Sequence, residues 1–128
     1  MIFKNLLAGT ALGTMIATEV VARISIEVSL SLTGAFSIGG AKHQQGYQLC
    51  VDLINERGGI KGEEVKLIVS DNRSYPATAI NQYERFIGVD VVDAVFGTFS
   101  SLFTFPVANI LARNGLAPWP STASYHTF

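Results

Sequence analysis

Ile24-Ser25-Ile26-Glu27-Val28-Ser29-Leu30 alternates apolar and polar side chains at period two, which predicts a first strand. Leu32-Thr33-Gly34 turns the chain. Tyr47, Cys50, Val51 and Ile54 then recur at i, i+3, i+4 and i+7, the spacing of one helix face, and this places Cys50 in the core. Gly58-Gly59 stops that helix where its end needs positive φ. Val65 to Ser70 reads as a second strand. Pro76 opens a second helix at the first position, where a missing N–H costs nothing, and Ala79, Ile80, Tyr83 and Ile87 line its buried face. Val91 to Phe96 reads as a third strand ended by Gly97. Ser100 or Ser101 can cap a third helix by accepting a bond from an orphan N–H, with Leu102, Phe103, Pro106, Val107, Ile110 and Leu111 as its apolar stripe. After Gly115, Leu116 to Trp119 begins a fourth strand, and Pro118 and Pro120 suggest an edge position for it.

The order β-α-β-α-β-α-β predicts an α/β fold, a parallel sheet with helices on both faces. With 128 residues there is room for one domain of ordinary size. A chain that is 48% hydrophobic and 15% charged has too much apolar material for disorder. A net charge of −1 leaves no basic face for nucleic acid. Cys50 stands alone, so neither an internal disulfide nor a cysteine zinc site can form. His43 and His126 match no metal-ligand spacing, and His43 is expected at the surface.

Residues 1–22 read differently. Lys4 gives a short positive start, Leu6 to Thr18 is a run of 13 uncharged residues, and Val20-Val21-Ala22 offers a small-x-Ala cleavage site. The run is too short for a spanning helix, which needs about 20 apolar residues. It is read as a cleaved secretory signal, the competing reading being a buried N-terminal helix. The mature protein would then be periplasmic and soluble, without stable membrane insertion. No cysteine follows the run, so it would not be a lipoprotein.

In open α/β sheets, ligands bind beyond the carboxyl ends of the strands. Here those ends are rich in hydroxyls, glycine and aromatics and poor in titratable groups, which suits recognition better than proton transfer. No phosphate loop, Gly-x-Gly-x-x-Gly turn or Gly-x-Ser-x-Gly elbow is present, so no cofactor and no catalytic residue is expected. Ser100 and Ser101, at a predicted helix start, could hold a carboxylate with help from the helix dipole or serve as a plain cap. Asp71 could pair a cation or close its turn. Phe99 and Trp119 could line an apolar pocket or pack in the core.

Taken together, Ser31-Leu32-Thr33-Gly34-Ala35, the stretch Asn55-Glu56-Arg57-Gly58-Gly59-Ile60-Lys61-Gly62, Val69-Ser70-Asp71-Asn72, Pro76-Ala77-Thr78-Ala79 and Val92 to Gly97 carry a family likeness. They resemble the leucine/isoleucine/valine-binding family of type I periplasmic solute-binding proteins, over residues 23–128. The resemblance implies the N-terminal lobe of that fold, left incomplete, as in an N-terminal fragment. It implies a non-enzymatic, extracytoplasmic component of an ABC importer for branched-chain amino acids or related amides and ureas. Its partners would be a small-molecule ligand and an ABC permease. A sensor or receptor ectodomain with the same fold is the alternative, and an enzyme of flavodoxin-like topology ranks third.

By the same similarity, Ser101 matches the position that holds the ligand's α-carboxylate. Thr122 and Ser124 match positions that grip its amino and carboxylate groups, and Phe99 and Ser100 share the loop. The sequence departs from the family's pattern in places. Tyr75 replaces the usual capping Asp before Pro76. Glu27 puts a charge in a strand covered on both faces, where it needs a partner. Gly39 stands where some amino-acid binders carry a large aromatic.

Overall fold

The computed structural model describes residues 23–116. The signal peptide proposed for residues 1–22, the fourth strand with Pro118, Trp119 and Pro120, and the candidate residues Thr122 and Ser124 lie outside them.

Among the described residues six strands and α-helices follow in order: β1 (Arg23–Leu30), α1 (Ser37–Glu56), β2 (Glu64–Asp71), α2 (Pro76–Arg85), β3 (Ala94–Val95) and α3 (Ser101–Arg113). All strand pairing is parallel in the order β2-β1-β3, with Ile26 opposite Leu67 on one side and Ala94 on the other. Strand alternation sends Ile26 to one face, where it packs with Val51 of α1 and Val65 of β2. A second cluster joins Ala79 and Tyr83 of α2, Phe86, Val95 of β3, and Phe103, Val107 and Leu111 of α3. Helices therefore cover both faces, as the alternating pattern predicts.

Local chemistry sets the boundaries. Gly59, at φ 76°, closes α1, and a Cβ there would lie 1.9 Å from the Glu63 carbonyl oxygen. Asn55 then ties α1 to β2, its side chain bonding both the N–H and the carbonyl of Val65 at 2.8 Å. Tyr75 precedes Pro76 at the N-cap of α2 and supplies no side-chain cap.

Three expectations need correction. The third strand does not run from Val91 to Phe96. α2 passes into a π-helical turn over Phe86–Asp90, Val91 is left-handed at φ 48°, and only Ala94–Val95 is regular strand. Near the strand's start the Asp93 carboxylate accepts from the N–H and hydroxyl of Ser25, at 2.7 and 3.0 Å, in place of a ladder carbonyl. Those bonds hold its pKa below the usual carboxylate range. Cys50 is exposed rather than core, because only the positions of α1 that point straight at the sheet are covered, as Val51 is. Leu102 is likewise exposed, one position short of the face that buries Phe103, Val107, Ile110 and Leu111.

Candidate functional site

β1 leads to β2 on one side and β3 lies on its other side, so the strand order reverses at β1. Such a reversal opens a crevice outside the carboxyl ends of the two strands flanking it, here β1 and β3. Three loops meet there, and the first two are locked together. The Asp71 carboxylate accepts from the N–H groups of Leu32, Thr33 and Arg73, at 2.9, 3.3 and 2.8 Å, and from the Thr33 hydroxyl at 2.7 Å. Burial pushes its pKa up, but these bonds together hold it below the usual carboxylate range. Of the two readings of Asp71, its oxygens are committed to the turn.

Asn72 is fully buried. Its Oδ1 accepts from the Ser31 hydroxyl at 2.7 Å and the Ser74 N–H at 3.0 Å, and its amide donates to the Ser29 hydroxyl at 3.1 Å. The Ser74 hydroxyl donates to the Thr33 carbonyl and accepts from the Phe36 N–H. Gly34 must be glycine in this lock: its φ is 83°, and a Cβ would sit 2.7 Å from the Ser74 hydroxyl oxygen.

The third loop leaves β3 and carries three of the sequence-predicted site residues. Two tyrosines fix its beginning from opposite faces of the sheet. Tyr83 of α2 donates to the Phe96 carbonyl at 2.6 Å, and Tyr47 of α1 donates to the Gly97 carbonyl at 2.7 Å. Burial pushes the Tyr83 phenol well up, so it stays a donor. By spacing alone both are helix-face residues. The signal that finds them is that a buried tyrosine hydroxyl needs a partner.

Beyond this anchor, Ser100 is the N-cap of α3 and Ser101 its first residue. The Ser100 hydroxyl accepts from the Leu102 N–H at 3.4 Å, and its carbonyl accepts from Phe103, Thr104 and the Thr104 hydroxyl. Ser100 has φ 75° and ψ 140°, a conformation costly for any residue with a Cβ. Strain of this kind, of order ~1–3 kcal/mol, clusters at functional sites. Ser101 and Phe99 are each half-buried, on either side of that bend. Phe99 contacts the edge of Phe36 at 6.3 Å and His43 at 4.8 Å, so His43 packs against the loop rather than standing free at the surface.

The structure thus brings Phe99, Ser100 and Ser101 together at the reversal of strand order. Shallow grooves lined by Gln44, Gln48 and Asp52 and by Lys42, His43 and Tyr47 draw their lining from α1 alone. Among the described residues no group of three or more His, Cys, Asp or Glu could hold a metal ion. None of their helices is long and apolar enough to cross a membrane.

The sequence pattern of the periplasmic binding protein family matches residues 23–127. This chain belongs to that family. Among its relatives, the Leu/Ile/Val-binding protein homolog 1 of Brucella abortus (strain 2308) is 31% identical over 115 residues, covering 88% of this chain and 31% of that protein. The Leu/Ile/Val-binding protein BraC3 of Rhizobium johnstonii is 32% identical over 124 residues, covering 97% of this chain and 34% of its own length. The crystal structure of LivJ, the branched-chain amino acid transporter substrate-binding protein of Streptococcus pneumoniae, in complex with isoleucine, superposes with a TM-score of 0.76. It shares 28% identity and covers 80% of this chain and 30% of its own. The chain spans about a third of the length of the curated relatives it matches. These relatives are named as binding proteins, and the fold is that of a type I periplasmic binding protein in part.

Proposed function

We propose that this sequence forms part of the N-terminal lobe of an extracytoplasmic solute-binding protein serving an ABC importer. Its ligands are branched-chain amino acids or related small amides and ureas. The observation that carries the reading is the position of Ser100 and Ser101, at the start of α3, on a strained bend beside the half-buried Phe99. Hydroxyls and N–H groups at a helix N-terminus suit a carboxylate, because the helix dipole favours negative charge there. In this reading Ser101 holds the ligand's α-carboxylate. Thr122 and Ser124 grip the amino and carboxylate groups, and Phe99 and Ser100 complete the wall. The names of the relatives and the isoleucine held by LivJ support this choice of ligand.

A permease partner follows from the importer role. Residues 1–22 act as the export signal, so the mature protein is periplasmic and begins near Arg23. The binding reading is tested by calorimetric titration of the full-length protein with L-leucine, L-isoleucine, L-valine, acetamide and urea. Ser101→Ala should remove one bond to a charged group, worth ~1.5–3 kcal/mol, or roughly 10- to 150-fold in affinity. An unchanged affinity in a folded variant would make Ser101 a helix residue only.

A further inference from the structure

Gly39 lies in the first turn of α1 without a positive φ, so its backbone does not require glycine. A glycine inside a helix weakens it, and the reason for this one is across the crevice. A Cβ built on Gly39 would lie 2.4 Å from Cε1 and 2.6 Å from Cζ of Phe99. The Phe99 ring therefore occupies the space that any side chain at position 39 would need. His43, one turn further on, closes the seat. Its ring lies 4.8 Å from that of Phe99, tilted by 40°, and its Nδ1 is 2.9 Å from the Gly39 carbonyl oxygen. Phe36 meets Phe99 edge-on at 6.3 Å. Phe36, Gly39 and His43 fall on one flank of α1, so a ring delivered by the β3–α3 loop is clasped by the helix on the other side of the strand reversal.

We infer that Phe99, seated on Gly39, is the residue that sets the size of ligand the site accepts. The inference rests on the functional reading above and adds to it the residue pair that holds the ligand's apolar group to a compact size. Phe99 is directly followed by Ser100 and Ser101, so a ligand whose carboxylate lies at the start of α3 directs the rest of its body along this loop. With the ring in its seat, the space against α1 is filled, and an apolar group of the ligand meets the ring instead of the helix. Removing the ring leaves a hollow over a glycine, deep enough for an aromatic side chain. Adding a methyl at position 39 acts from the other side. The atoms it meets are the far end of a flexible side chain, so the ring swings outward, the fold survives, and the displaced ring intrudes on the ligand.

The test is calorimetric titration of the full-length protein with L-leucine, L-valine and L-phenylalanine. It compares wild type, Phe99→Ala, Phe99→Leu and Gly39→Ala, with circular dichroism to verify folding. Phe99→Ala should raise the affinity for L-phenylalanine relative to L-leucine by about tenfold or more, since single methylene differences in apolar pockets are worth roughly 10- to 200-fold. Phe99→Leu should move the ratio in the same direction by less. Gly39→Ala should fold and yet bind L-leucine about tenfold more weakly. If wild type binds L-leucine and the folded variants keep its affinities and ratios, Phe99 is only packing and the size-setting role is overturned while the binding function stands. If wild type binds none of the three probes, the size-setting role is overturned, and the functional reading fails with it only when L-isoleucine, acetamide and urea do not bind either.

Discussion

Replacing Glu27 by Gln should make the protein more stable at neutral pH and remove a pH dependence that the wild type carries. Glu27 sits in the central strand at 4% exposure, and its Oε2 has no hydrogen-bond partner among the described residues. Burial raises its pKa above the ordinary glutamate value. The Asp90 carboxylate beside it raises the pKa further, with Arg85 offsetting part of the effect. In the unfolded chain the group titrates near ~4.3. The native state therefore holds the proton to higher pH than the unfolded state does. Stability is then fully present below the unfolded value and falls as pH rises through the folded one. Gln keeps the shape, carries no charge, and can donate to Asp90 at any pH. A buried acceptor left unsatisfied costs about 1–3 kcal/mol, and more when charged, so the variant should gain about 1–3 kcal/mol at neutral pH. In a chain of this size each kcal/mol moves Tm by about 3–5 °C. Urea unfolding of both proteins, followed by circular dichroism from neutral pH down to about pH 4, should show the gap closing as Glu27 becomes neutral in both states. A variant no more stable than wild type at neutral pH, or a gap that does not shrink on acidification, would refute the reasoning.

Tyr83→Phe deletes a hydroxyl that holds the Phe96 carbonyl at 2.6 Å from a fully buried ring. Urea unfolding should register a loss of about 0.5–1.5 kcal/mol, the net worth of one such hydrogen bond at a part-buried carbonyl. Two glycines of α1 should answer alanine in opposite ways. At Gly40 a Cβ would lie 2.0 Å from the Ser31 carbonyl oxygen, a backbone atom that cannot swing aside, so Gly40→Ala should cost about 1–3 kcal/mol. At Gly46 nothing lies within 4 Å, and Gly46→Ala should stabilise by about 0.5–1 kcal/mol; thermal melts of the pair check both signs. N-terminal sequencing of protein from a periplasmic fraction should begin near Arg23, and an uncleaved form confined to the cytoplasm would count against export.

The sequence by itself determined the layered fold. Period-two alternation in β1, the turn at Gly58-Gly59, the proline at the start of α2 and the apolar stripe of α3 are local signals, and each acts through backbone geometry within a few residues. The charge of Glu27 and the missing cap at Tyr75 were legible for the same reason. Phe99, Ser100 and Ser101 are candidates by their place after a predicted strand and by family likeness, and both signals are sequential. What needed the tertiary structure was every contact between elements distant along the chain. Val91 to Phe96 reads as strand because it is short and mostly apolar, yet the π turn, left-handed Val91 and the Asp93 carboxylate cut the strand to Ala94–Val95. Cys50 shares its spacing with Val51, but only the sheet decides which flank of α1 is covered. The two tyrosine anchors and the seat of Phe99 on Gly39 join α1 and α2 to a loop 13 to 60 residues away. No periodicity encodes such partners, because the hydrogen bond and the van der Waals contact depend on distance in space and not on position in the chain.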